Sequence, residues 1–73
     1  MASPKVVSAL IADDLRKQIL AGDLLPGDRI RQEEIAEEFD ASRIPVREAL
    51  LILVNDGLVE IVANSGAWVS SLT

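Results

Sequence analysis

Val7, Leu10, Ile11, Leu15 and Ile19 recur at steps of three and four, with Asp13, Asp14, Arg16 and Lys17 between them. That spacing predicts an amphipathic helix. Ser3-Pro4 reads as its N-cap and first residue, and Gly22 as its end. Residues 22–29 read as a loop around Pro26-Gly27, the pair a type II turn favours. Arg29-Ile30-Arg31 has the length of a two- or three-residue strand. A second helix is expected from about Gln32 to Phe39, with Ile35, Ala36 and Phe39 inward. Asp40-Ala41-Ser42 interrupts it after two turns. Ser42 then caps a third helix that keeps Pro45 in its first turn, where only an orphan donor is lost. Val46, Ala49, Leu50 and Leu53 form its inner stripe, and it ends near Asp56 before Gly57.

Beyond Gly57 the period changes. Leu58-Val59-Glu60-Ile61-Val62 and Ala67-Trp68-Val69-Ser70 are strand-like, and Ala63-Asn64-Ser65-Gly66 between them is a turn cluster of hairpin length. Two strands alone are marginal in water, so Arg29-Ile30 is the candidate third. The expected fold is therefore mainly α with a small β-sheet: a winged helix-turn-helix of three helices plus a two- to three-stranded antiparallel wing. Residues 1–73 read as one such domain, with the helix-turn-helix at about 32–56 and the wing at about 58–70.

Composition narrows the chemistry. The 73 residues include no cysteine and no histidine, which excludes disulfides, zinc fingers and thiol or imidazole nucleophiles. No cofactor and no enzymatic activity are expected. No apolar run is long enough to span a membrane, so no membrane partner is expected and a cytoplasmic location is the default. The net charge of −5 counts, at face value, against nucleic acid. The placement of the charges points the other way. Glu33, Glu34, Glu37, Glu38 and Asp40 gather on the second helix and its turn, while Arg43 and Arg47 open the third. Four residues apart, these two arginines share one helical face. The second helix of a helix-turn-helix enters the major groove by its N-terminal end, whose free N–H groups also suit a phosphate. Ser42, Arg43, Ile44, Pro45 and Arg47 are thus the candidate DNA-contacting residues. Arg29 and Arg31 either touch phosphate or neutralise Asp28 and the second-helix glutamates. Gly66 is either the close-approach residue of a wing or an ordinary turn glycine. Trp68 reads as a core or sheet-face residue rather than a base-stacking one.

The run Ser42-Arg43-Ile44-Pro45-Val46-Arg47-Glu48-Ala49-Leu50, followed by Gly57-Leu58-Val59 and Asn64-Ser65-Gly66-Ala67, resembles the GntR family of bacterial transcription regulators. Ile19-Leu20-Ala21-Gly22, Leu25-Pro26-Gly27-Asp28-Arg29-Ile30 and Glu34-Ile35-Ala36-Glu37 fit the same family. The likeness runs from about Val7 to Val69 and is nearest to the FadR-like branch. It implies a metabolite-responsive regulator, a repressor by expectation, that reads a palindromic operator in double-stranded DNA as a homodimer. It also implies a C-terminal effector domain, absent from this chain, through which alone a small molecule would act. Ser42, Arg43 and Arg47 match the family's DNA-contacting positions, with Ile44 and Pro45 between them. Arg29 or Arg31 matches a phosphate-contacting arginine, and Gly66 the wing glycine. The chain departs from the pattern at Glu33, where some relatives carry arginine, and at Ser65, where a basic residue is common. Leu51 and Ile52 replace charged residues; one is expected to complete the core and at least one to stay exposed for a neighbouring domain. The alternative function is a winged helix that binds protein and not DNA.

Overall fold

The computed structural model describes residues 4–62 and 66–71. The first helix, α1 (Pro4–Ala21), buries Ser8, Ile11, Ala12 and Leu15 along one arc, and Val7 and Ile19 pack partly at its ends. Leu10 departs from the expected stripe. It is 59% exposed, because a residue one position before Ile11 is turned about 100° out of that arc. The buried Ser8 hydroxyl donates to the Lys5 carbonyl at 3.0 Å, so its polarity is satisfied within the helix. The proposed Ser3 cap lies outside the described residues.

Leu25-Pro26-Gly27-Asp28 closes a turn in which the Asp28 N–H donates to the Leu25 carbonyl at 2.9 Å. Gly27 has φ +89°, the left-handed value that position of a type II turn demands. The turn delivers the chain to β1 (Arg29–Ile30), which pairs antiparallel with β3 (Gly66–Val69), and β3 pairs in turn with β2 (Val59–Val62). The sheet order β1-β3-β2 places the hairpin's second strand in the middle. Gly66 therefore belongs to the strand, opposite Val62, and not to the turn where the sequence pattern put it. Of the proposed wing turn, Asn64 and Ser65 lie outside the described residues.

Between β1 and the hairpin stand α2 (Gln32–Glu38) and α3 (Arg43–Asn55). Val46, Ala49, Leu50 and Leu53 of α3 are fully buried and form the hub of the core. Around them pack Ile11 and Leu15 of α1, Ile30 of β1, Ile35 of α2, Val59 of β2, and Ala67 and Val69 of β3. Every element thus contributes to one cluster centred on α3. Leu51 and Ile52 are 52% and 38% exposed, so neither completes the core as expected. The positions before and after them, Leu50 and Leu53, already occupy the inward face. Arg16 of α1 ties the end of α3 from outside, with Nη2 2.6 Å from Oδ2 of Asp56.

The turn between α2 and α3 depends on one strained residue. Asp40 has φ +50°, and its neighbour Ala41 donates its N–H to the Ala36 carbonyl at 2.8 Å, ending α2 sharply. Aspartate tolerates this conformation better than most residues, whereas a β-branched side chain does not. Asp40→Val is expected to lower stability by about 1–2 kcal/mol. Asp40→Gly should be neutral or mildly stabilising. Urea unfolding of the two variants checks this, and equal midpoints would show that the turn carries no conformational strain.

Candidate nucleic-acid interface

With the inner stripe of α3 in the core, Arg43, Ile44 and Arg47 are left on its outer side, and all three are exposed. Ile44 is 67% exposed, a large apolar side chain with no packing role of its own. Among the described residues neither arginine has a carboxylate within ion-pair distance, although Glu48 adjoins Arg47. Ser42 holds the N-cap position with extended backbone (φ −78°, ψ 176°), yet its hydroxyl makes no capping hydrogen bond. Both the hydroxyl and the first N–H groups of this 13-residue helix are therefore open to an incoming anion. Pro45 differs from its neighbours: it is buried, so its ring shapes the first turn of α3 from inside.

The sheet supplies the second half of the surface. Directly paired residues share a face, so Glu60, Trp68 and Arg29 form one row across β2, β3 and β1. Val62 and Gly66 belong to the same outer face, while Ile30, Ala67 and Val69 turn to the core. The Arg29 guanidinium carbon lies 5.6 Å from the centre of the Trp68 ring. At an exposed site such a contact contributes about 0.5–1 kcal/mol. The arginine also crosses Gly66: a Cβ built there would stand 3.4 Å from both Nε and Nη2 of Arg29. Gly66 has φ +111°, a backbone conformation that side-chain-bearing residues rarely adopt.

Arg29, Arg31, Arg43 and Gly66 meet in a shallow cleft of about 150 Å³, where β1 runs into α2 beside the start of α3. Ile30, Gln32 and Glu33 complete it. Arg31 is loosely held, its Nε 3.9 Å from Oε1 of Glu34, whereas Arg29 pairs with no carboxylate among the described residues. Asp28, the other candidate to neutralise Arg29, instead accepts the Leu25 N–H at 2.8 Å. Arg47 lies one turn along α3, outside the cleft. The arrangement brings three cations, the single carboxylate of Glu33 and the start of α3 around one opening, a net positive surround that suits an anionic backbone; the exposed side of α3 adjoins it. Two features have no counterpart in the sequence pattern. Gln32 carries no visible signal beyond opening α2, and the Arg29–Trp68 contact depends on a strand register that sequence spacing does not encode.

Known proteins share this architecture and part of this sequence. The profile of the bacterial regulatory proteins of the gntR family matches residues 8–69. The HTH-type transcriptional regulator YdhC of Bacillus subtilis is 39% identical over 61 residues, covering 84% of this chain and 27% of its own length. The mannosyl-D-glycerate transport/metabolism system repressor MngR of Escherichia coli is 43% identical over 60 residues, covering 81% and 25%. The chain thus spans about a quarter of the length of these curated relatives. Among solved structures, AraR(DBD) in complex with operator ORR3 superposes with a TM-score of 0.82 at 29% identity, covering 88% of this chain and 78% of that one. A GntR family member from Pseudomonas syringae also gives 0.82, at 36% identity, covering 99% and 30%. With helices, sheet and sequence in agreement, the chain belongs to the GntR family of bacterial regulatory proteins and forms its winged helix-turn-helix DNA-binding domain.

Proposed function

We propose that this domain is the reading head of a cytoplasmic transcription regulator of the FadR-like branch, acting as a metabolite-responsive repressor on a palindromic operator. The observation that carries this reading is the pair Arg43 and Arg47, exposed on the opening turns of α3 beside the cleft of Arg29 and Arg31 and unpaired among the described residues. In the bound state Arg43 and Arg47 reach base edges in the major groove, and Ile44 meets a thymine methyl or a sugar edge. Ser42 and the α3 N-terminus hold a phosphate, as do Arg29 and Arg31. Gly66 lets the wing backbone approach the minor groove. Pro45, being buried, supports the helix start rather than touching DNA. The rest of the full-length protein supplies the homodimer contacts and the domain that binds a small-molecule effector. MngR is named a repressor, and AraR(DBD) was solved on an operator, which supports the assignment.

Four arginines are few for an acidic chain of net charge −5, so a single domain should bind weakly and two joined domains much more tightly. Selection of duplexes from a random pool, with the domain fused to a dimerising segment, tests the proposal. An inverted repeat of two equal half-sites is expected; a pool that never converges on a repeat would overturn it. Within the same system Arg29→Ala should weaken binding evenly across sequences. It should also flatten the slope of log K against log salt by about one unit per domain. A loss confined to the selected sequence would instead make Arg29 a base reader.

A further inference from the structure

We infer that Trp68 is a positioning residue for DNA binding: its indole face holds the Arg29 guanidinium ready at the root of the wing, over Gly66 and at the mouth of the arginine cleft. The inference rests on the proposed role of Arg29 at phosphate and adds the group that makes that role efficient.

An exposed arginine on a two-residue edge strand would ordinarily sample many rotamers and lose that freedom on gripping a phosphate. Two features place Arg29 beforehand and a third leaves its donors available. Register sets it directly opposite Trp68, and the ring centre lies 5.6 Å from the guanidinium carbon. Gly66, lacking a side chain, leaves room for Nε and Nη2 to lie 3.4 Å from where a Cβ would stand. Among the described residues no carboxylate lies within ion-pair distance of Arg29; Asp28 accepts the Leu25 N–H instead. Glu60 is the remaining acid of the outer row, and Trp68 stands between it and Arg29 in the strand order β1-β3-β2. The indole therefore both carries the cation and separates it from the carboxylate that would otherwise compete with phosphate. A guanidinium stacked on an aromatic face keeps its N–H donors free at its edge, which a lysine ammonium in the same place could not reproduce.

The test measures affinity for a labelled duplex of arbitrary sequence, at several salt concentrations, for the parent and for Trp68→Leu, Trp68→Phe, Arg29→Lys, Arg29→Ala and the double variant Arg29→Ala/Trp68→Leu. Trp68→Leu is expected to weaken binding about two- to five-fold, with Trp68→Phe recovering part of the loss. Arg29→Lys should lose a similar factor while keeping the parent's salt slope, because the charge remains and only the stacking geometry goes. In the Arg29→Ala background Trp68→Leu should cost nothing more. A merely structural tryptophan would instead weaken binding equally in both backgrounds, and that result would overturn the inference. So would an Arg29→Lys variant that binds as tightly as the parent, a measurement that stands even if Trp68→Leu does not fold. All variants are measured in the domain fused to the dimerising segment; absence of duplex binding by that parent would overturn the proposed phosphate role of Arg29, and is thereby distinguishable from failure of the positioning role alone. Trp68 is the single tryptophan of the chain, so a shift of its emission in free Arg29→Ala should accompany loss of the stack.

Discussion

Arg43→Ala is expected to erase the preference for operator over random DNA while leaving much of the random-sequence affinity in place. Arg43 is exposed on the first turn of α3 and pairs with no carboxylate among the described residues, so nothing in the domain depends on it for packing. A bidentate contact from arginine to guanine is worth about 1–3 kcal/mol of discrimination, and a symmetric dimer loses it twice, about 2–6 kcal/mol in all. Arg29, Arg31 and the α3 N-terminus would remain to hold phosphate, which sets the non-specific floor. Competition binding of a dimerised domain between operator and scrambled duplex reads the ratio directly. Arg43→Lys should fail as well, because a point charge cannot make the paired contact. If Arg43→Ala kept the parent's ratio, the reading role would have to pass to Arg47 or Ile44.

The residues that make this prediction possible are legible in the sequence because local physics marks them. Asp40-Ala41 breaks one helix, Ser42 takes the N-cap position of the next, and two arginines at i,i+4 beyond it must share a face. The core stripe of α3 is equally plain, since four apolar residues at helical spacing leave the helix only one way to turn. What sequence does not supply is long-range register. Whether Arg29 is a phosphate ligand, a partner of Asp28 or a free side chain depends on what the fold sets beside it, and the register sets Trp68 there. The same limit moves Gly66 from turn to strand, because hairpin length alone does not say which residue first pairs. Leu10 and the pair Leu51 and Ile52 show a different limit. Hydrophobicity marks candidates for burial, but the angular width of the buried arc is set by what packs against it.

That arc also fixes the most damaging substitution, Leu50→Ala. Leu50 has no exposed surface and is among the largest fully buried side chains of the domain, turned into the core on the same helix that carries the exposed Arg43 and Arg47. Truncating a buried leucine costs about 2–5 kcal/mol, from lost transfer energy and an imperfectly closed cavity. A chain of 73 residues has only about 4–11 kcal/mol of total stability, so the variant should be marginal or unfolded at about 37 °C. Leu51→Ala, one residue further on and half exposed, should stay within about 0.5 kcal/mol of the parent. Thermal or urea unfolding separates the two, and equal losses would place the core on the wrong face of α3. Because α3 carries both the proposed reading residues and the centre of the core, the two properties are linked. Operator at about a hundred times its dissociation constant adds about 2.7 kcal/mol to the folded state, enough to return a marginal Leu50→Ala domain towards folded. The variant should therefore show weak, temperature-sensitive operator binding with its sequence preference intact. Arg43→Ala should show the reverse, a parent-like melting temperature with the preference gone. One helix would then yield two separable failures: its inner face sets how much protein is folded, and its outer face sets what the folded protein reads.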